Sequence, residues 1–267
     1  MPSNDALALT HIDERGSTMR LAGKKAVVTG AGGALGQVIS RALAREGCDV
    51  AGVDLAQEGL TRFGKTVREV GREALELEAD LTDFDDVQRA ADQVRDDWGG
   101  IDVLVNNAGG GMVRPFAEMT PQDWRRMVDT NLTSVFNMTR AALPAMRGRD
   151  GGRIVSIASI AALRGGRLVR NATGYAAAKA GVVGLTKALA IELAEEGITV
   201  NCVAPGAQHT PGRDRDTPEV REALLAQIPT RTLGRPEDLA ETIVFLCLPS
   251  AAYLTGVILP QDGGHSI

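Results

Sequence analysis

Tyr175 and Lys179 stand four positions apart in a strongly helical stretch, a spacing that brings both side chains to one helix face, about 6 Å apart along the axis. A phenol titrates near pH 10 and is a poor base at neutral pH. An ammonium within roughly 4 to 6 Å favours the phenolate and lowers that value, so the pair reads as a proton-transfer couple. Taken alone, Tyr-x-x-x-Lys also describes an ordinary surface pairing, and its place in the chain decides between the two. Upstream, Thr29-Gly30-Ala31-Gly32-Gly33-Ala34-Leu35-Gly36 joins an apolar run to an amphipathic one. Glycine permits a tight strand-to-helix turn and a close backbone approach to a pyrophosphate, whose charge the helix N-terminus favours. Asp54 follows about 20 residues later, where a carboxylate can accept both hydroxyl hydrogens of an adenosine ribose. No Arg or Lys stands in the glycine loop or beside Asp54 to hold a 2′-phosphate, so the segment predicts NAD rather than NADP.

These residues need a scaffold, and the chain has a pattern for one. From Lys25 onward, short β-branched runs alternate with longer amphipathic stretches, as in repeated βαβ units feeding a parallel sheet. Strands are expected at Ala26 to Thr29, Asp49 to Val53, Ala74 to Glu78, Val103 to Asn106, Arg153 to Ile157, Thr199 to Ala204 and Gly256 to Leu259. Helices are expected at Ala34 to Glu46, Phe84 to Trp98, Pro121 to Ala145, Gly174 to Glu195, Pro218 to Ala226 and Pro236 to Leu246. Thr120 and Thr217 each precede a proline and read as N-caps. The fold class is therefore α/β: a single-domain, doubly wound parallel sheet of Rossmann type, with about seven strands and helices on both faces. Three irregular segments, Gly109 to Phe116, Ala161 to Thr173 and Ala207 to Thr217, follow strands and should gather at the carboxyl edge of the sheet. Residues 1–19 are polar and aperiodic and are expected to be a disordered extension, with the domain spanning 20–267.

The 267 residues are 44% hydrophobic, with 29 basic and 34 acidic side chains, a size and composition suited to one large core. No basic run suggests a nucleic-acid partner. No apolar stretch reaches membrane-spanning length and no secretory segment precedes the domain, so a cytoplasmic location is expected. Cys48, Cys202 and Cys247 lie far apart inside apolar runs and read as reduced core residues. His11, His209 and His265 do not cluster with cysteines or carboxylates at metal-ligand spacing, so no metal is expected.

Further motifs accumulate along the chain. The glycine segment reads T-G-x-x-x-G-x-G with Ala34 at the middle glycine. Ala79-Asp80-Leu81, the turn Asn106-Asn107-Ala108-Gly109, and Pro205-Gly206 followed by Thr210 come next in order. From about Leu21 to Gly264 the chain thereby resembles the short-chain dehydrogenase/reductase family. That resemblance implies a catalytic set of Asn131, Ser159, Tyr175 and Lys179. Ser159 would hydrogen-bond the substrate oxygen, and Asn131 would sit at a polar kink retaining a water that links Lys179 to solvent. It implies a dinucleotide held by Gly30, Leu35, Gly36, Asp54, Asp80, Leu81, Asn107, Ala108, Gly109, Pro205, Gly206, Gln208 and Thr210, together with Tyr175 and Lys179. Gln208 departs from the aliphatic residue common at its position.

The expected activity is hydride transfer between NAD and a secondary alcohol or ketone, with Tyr175 as general acid/base. A 3-oxoacyl thioester reductase is the alternative, and an NAD-sensing regulatory protein is the non-enzymatic one. Arg164, Arg167 and Arg170 either attract an anionic substrate or form an exposed basic loop. The run Arg213-Asp214-Arg215-Asp216 is either a lid or a solvated loop. Apart from a small-molecule substrate, the partners expected are further copies of the chain, with a homotetramer favoured by the family resemblance.

Overall fold

The computed structural model describes residues 11–12, 18–165 and 170–267. Seven strands form one sheet: β3 (Lys25–Thr29), β4 (Asp49–Asp54), β5 (Ala74–Glu78), β6 (Val103–Asn106), β7 (Arg153–Ile157), β8 (Thr199–Pro205) and β9 (Ile258–Gln261). Their order is β5-β4-β3-β6-β7-β8-β9, every pairing parallel. β3 pairs with both β4 and β6. The chain therefore builds outward on one side of β3 and then crosses to the other, and a crevice opens beyond the carboxyl ends where it switches. Before the sheet, β1 (His11–Ile12) pairs antiparallel with β2 (Thr18–Met19), inside the stretch read as aperiodic. The rest of that stretch, 1–10 and 13–17, lies outside the described residues.

Alternation along the strands sorts side chains to two cores. Val28, Val50, Val105 and Val155 pack against α1 (Ala34–Arg45), α2 (Gln57–Arg68) and α9 (Pro236–Cys247). Val27, Ala51, Leu104 and Ile154 face α3 (Phe84–Trp98) and α5 (Ser134–Met146), with the far end of α7 (Thr173–Glu192). All seven residues of β8 are buried, as expected of a strand covered on both faces.

Helix α2 is absent from the sequence expectation. Its glycines and threonines are weak helix formers, and tertiary contact supplies what propensity lacks. Gly52 in β4 leaves room for Phe63, whose ring carbon would lie 2.6 Å from a Cβ there. Phe63 is fully buried, a stabilisation of about 1.5–3 kcal/mol. The stretch read as one helix from Pro121 is three pieces: α4 (Pro121–Val128), a π-helical turn (Asp129–Thr133), and α5. The Thr120 cap is present as a reciprocal capping box with Asp123, and Thr217 caps α8 (Pro218–Gln227). β9 begins two residues later than expected because Gly256 takes a turn conformation at φ 74°. Pro260 is tolerated inside β9 because that strand is an edge.

Candidate active site

The glycine turn is held by contacts that leave no room for larger residues. Gly30 sits at φ 65°, and a Cβ on it would lie 2.9 Å from the Cα of Ala108; one on Gly36 would lie 2.1 Å from the Gly30 carbonyl oxygen. Ala34, by contrast, is exposed at the start of α1, so its methyl group costs the turn nothing internally. Gly33 precedes α1 with no side-chain cap, and no acidic residue stands in the first turn. The first N–H groups of α1 are thus free to meet an anion, which is the observation that fits a pyrophosphate here.

Asp54 closes β4 beside this turn. Its carboxylate accepts from the backbone N–H of Gly32 at 2.9 Å and of Ala56 at 3.2 Å. The carboxylate is thereby aimed rather than free, and it retains lone pairs for a diol. At the next strand end, the Asp80 carboxylate accepts from the Thr82 N–H at 2.8 Å and from its hydroxyl at 2.7 Å. The Leu81 carbonyl accepts from the buried amide of Asn137 at 2.9 Å. Asn137 is a positioning residue that sequence reading missed; a buried Asn in mid-helix is the signal, since such an amide needs a partner.

The turn after β6 shows a second omission. The Thr29 hydroxyl oxygen accepts from the N–H groups of Asn107 and Ala108, each at 3.0 Å. The Asn107 amide donates back to the carbonyls of Thr29 at 2.9 Å and Gly30 at 3.2 Å. Asn107 thus clasps the two turns together, and its side chain is spent on backbone.

Asn131 lies in the π-helical turn, fully buried. Its amide donates to the carbonyls of Gly110 and Met127, both at 3.0 Å, and its oxygen accepts from the Gly110 N–H at 3.1 Å. The widened turn frees a mid-helix amide for these bonds. A Cβ on Gly109 would approach the Asn131 oxygen at 2.6 Å and the Lys179 ammonium at 3.2 Å. Asn131, Gly109 and Lys179 therefore converge.

Tyr175 and Lys179 stand on α7 as their spacing predicts. Lys179 is 3% exposed, its ammonium donating to the Ile157 carbonyl at 2.6 Å and lying 6.0 Å from the centre of the Tyr175 ring. Burial pushes the Lys179 ammonium down to about 8. Burial also raises the Tyr175 phenol, and the side-chain hydrogen bond with Ser159 pulls it back in part. The sequence predicts a phenol made acidic by its cation; here desolvation, rather than Lys179, sets the direction. Ser159 follows β7, its hydroxyl oxygen accepting from the Ala161 N–H at 3.1 Å. Ser156 points elsewhere, to the amide of Asn106 at 3.4 Å.

Ser159, Tyr175, Pro205, Gly206, Gln208 and Thr210 line one cleft of about 230 Å³ at the carboxyl edge. The Pro205 carbonyl accepts from Ile160 and the Gly206 N–H donates to Gln261, which ties the loop after β8 to its neighbours. Gln208 is buried, its amide wedged against Gly234 and donating weakly to Gly206 at 3.4 Å. The basic loop resolves in part. Arg164, on the short helix α6 (Ala161–Arg164), donates to the carbonyl of Ser266 near the C-terminus. Arg170 is exposed, and Arg167 lies outside the described residues. Arg213 pairs with Asp216 at 3.2 Å within a short 3-10 turn (Pro211–Arg215). All three cysteines are buried free thiols. Among the described residues there is no metal-ligand cluster, and no helix is long and apolar enough to cross a membrane.

Comparison with known proteins gives the family. The family model described as enoyl-(acyl carrier protein) reductase matches residues 30–266. The chain is 37% identical to the 3-oxoacyl-(acyl-carrier-protein) reductase of Vibrio cholerae, covering 92% of this chain and 98% of that one. It is 36% identical to the 7alpha-hydroxysteroid dehydrogenase of Escherichia coli K12, covering 92% and 95%. The crystal structure of a blue fluorescent protein from a metagenomic library, in complex with NADPH, superposes with a TM-score of 0.86 at 35% identity, covering 93% of this chain and 100% of that one. Half-buried Tyr175 and Ser159 with buried Lys179, an uncapped glycine turn and a sheet of this order thus join the family match in marking the chain as a member of the short-chain dehydrogenase/reductase family of nicotinamide-dependent oxidoreductases.

Proposed function

We propose that the chain is an NAD-dependent dehydrogenase acting on a secondary alcohol or its ketone, with Tyr175 as general acid/base. The reading is carried by Tyr175, Ser159 and buried Lys179 standing together at the carboxyl edge. The dinucleotide supplies the hydride acceptor or donor at its nicotinamide. Gly30, Leu35 and Gly36 would lie under its pyrophosphate, Asp54 at the adenosine ribose, Asp80 and Leu81 at the adenine. Asn107, Ala108, Gly109, Pro205, Gly206, Gln208 and Thr210 would flank the nicotinamide half. Ser159 donates to the substrate oxygen and holds it beside the phenol. In oxidation, Tyr175 would act as the phenolate, favoured by the positive charge of Lys179 and of an oxidised nicotinamide beside it, and take the hydroxyl proton as the carbinol carbon loses hydride; in reduction the phenol returns that proton. Lys179 would donate to the nicotinamide ribose, and protons would pass from it toward Asn131.

Asp54 favours NAD because a 2′-phosphate would meet a carboxylate there, and no Arg or Lys stands beside it in sequence. The NADPH bound to one structural relative favours the other dinucleotide, and the Vibrio cholerae relative favours a 3-oxoacyl thioester as substrate. Both are decided by one assay. Alcohols and 3-oxoacyl thioesters are scanned with each dinucleotide, reading the absorbance of reduced nicotinamide. Secondary-alcohol turnover with a preference for NAD supports the proposal, and thioester reduction with NADPH alone overturns it. Tyr175→Phe should lower kcat by about 10³-fold while NAD binding persists; substantial residual turnover removes the tyrosine from its role. A homotetramer in the cytoplasm completes the reading, supported by the family resemblance.

A further inference from the structure

At the opposite end of the strands lies a cavity of about 880 Å³, its wall including Lys24, Asp102, Arg153, Cys247 and Ala252. Arg153 opens β7 and is 7% exposed. Its Nη1 donates to the neighbouring Gly152 carbonyl at 3.0 Å, and its Nε meets no acceptor. Among the described residues no carboxylate lies within ion-pair distance of it. Asp150, exposed at the rim, acts on Arg153 only at longer range.

Asp102, Lys24 and Arg20 in the same wall are already committed. Asp102 accepts from Arg149 at 2.9 Å and from the Lys25 N–H at 2.8 Å, with Lys24 at 3.5 Å. Arg20 is bidentate on Glu46. The last turn of α9 reaches the same wall at Cys247, and its carbonyl end favours a cation. Yet no α9 carbonyl among the described residues accepts a hydrogen bond from Arg153. A guanidinium removed from water without a counter-charge is costly, and its planar donor fork suits carboxylate or phosphate.

We propose that this cavity is an anion site, separate from the dinucleotide crevice, that takes a small molecule bearing a carboxylate or phosphate group on Arg153. The volume admits an organic anion as well as an inorganic one. An anion bound here would stabilise the fold without touching Tyr175.

Thermal unfolding of the full chain tests this in inorganic phosphate and in succinate, against chloride at matched ionic strength. Saturating NAD⁺ keeps phosphate from the glycine turn. At about tenfold excess over Kd, one of the two anions should raise Tm by about 4 °C. A response to phosphate alone identifies a phosphoryl group as the ligand, and one to succinate alone a carboxylate. Arg153→Met should weaken that binding at least tenfold, as read by calorimetric titration. Because Arg153→Met alters a buried position, Ala252→Trp provides the second variant: it blocks the cavity from its exposed rim and should abolish the shift with the guanidinium intact. No shift beyond chloride, or an undiminished one in folded Arg153→Met or Ala252→Trp protein, overturns the site.

Discussion

The proposed dinucleotide half of the crevice and its proposed substrate half use polar side chains in different ways. On the dinucleotide side, Thr29, Asn107, Asn131 and Asn137 are buried or half-buried and bonded to backbone across sequence separations of 21 to 79 residues. On the substrate side, Arg213 pairs with Asp216 three residues away, Arg164 reaches a terminal carbonyl, and Arg170 faces solvent. Buried and half-buried bonds to backbone fix the turns where the cofactor is proposed to lie. Side-chain bonds made by exposed or half-exposed arginines leave the shape of the substrate free to vary, as loops on a rigid scaffold generally do. The same contrast explains why the glycine turn tolerates Ala34, whose methyl is exposed, but has no space at Gly36.

If the contrast holds, the largest effects should come from the buried half. Gly36→Ala places a methyl against the Gly30 carbonyl, and dinucleotide affinity should fall about 100-fold, measured by fluorescence titration. Near-native affinity would mean that the turn is far softer than its contacts indicate.

Lys179→Met separates catalysis from stability. The fall from 10.5 to about 8 corresponds to an order of 3 kcal/mol of disfavoured charging. The folded state binds fewer protons than the unfolded one between these values, so this group's penalty is full below pH 8 and fades as pH rises toward 10.5. The variant should therefore be inactive yet melt higher than the native chain at pH 6, with the difference shrinking by pH 9.5. A lower Tm at both pH values would show that the Ile157 bond outweighs the burial of charge.

Asp54→Ala removes the acceptor of two backbone N–H groups, those of Gly32 and Ala56, as well as the proposed ribose partner. It should raise KM for NAD about tenfold while kcat changes little, and initial rates across a dinucleotide series would show it. An equal loss in kcat would place Asp54 in the chemistry rather than in binding.

The smallest change belongs to the substrate half. Arg164→Ala breaks one exposed bond and should alter kcat/KM by less than about threefold. A much larger loss confined to anionic alcohols would restore the basic loop as a substrate contact.

Much of this molecule is written in local pattern. Strand positions at Val103–Asn106 and Arg153–Ile157, each buried throughout, follow from short apolar runs rich in β-branched residues, and helix Phe84–Trp98 from its periodicity. The Tyr175–Lys179 spacing likewise needs only the pitch of a helix. Tertiary structure decided the rest. Helix α2 exists because Gly52 admits Phe63, a contact between segments that no local window contains. The π-turn at Asn131 forms where a buried amide finds Gly110 across the crevice. The direction in which Tyr175 and Lys179 titrate follows from the water that packing excludes from both, and four residues of spacing carry no information about that exclusion.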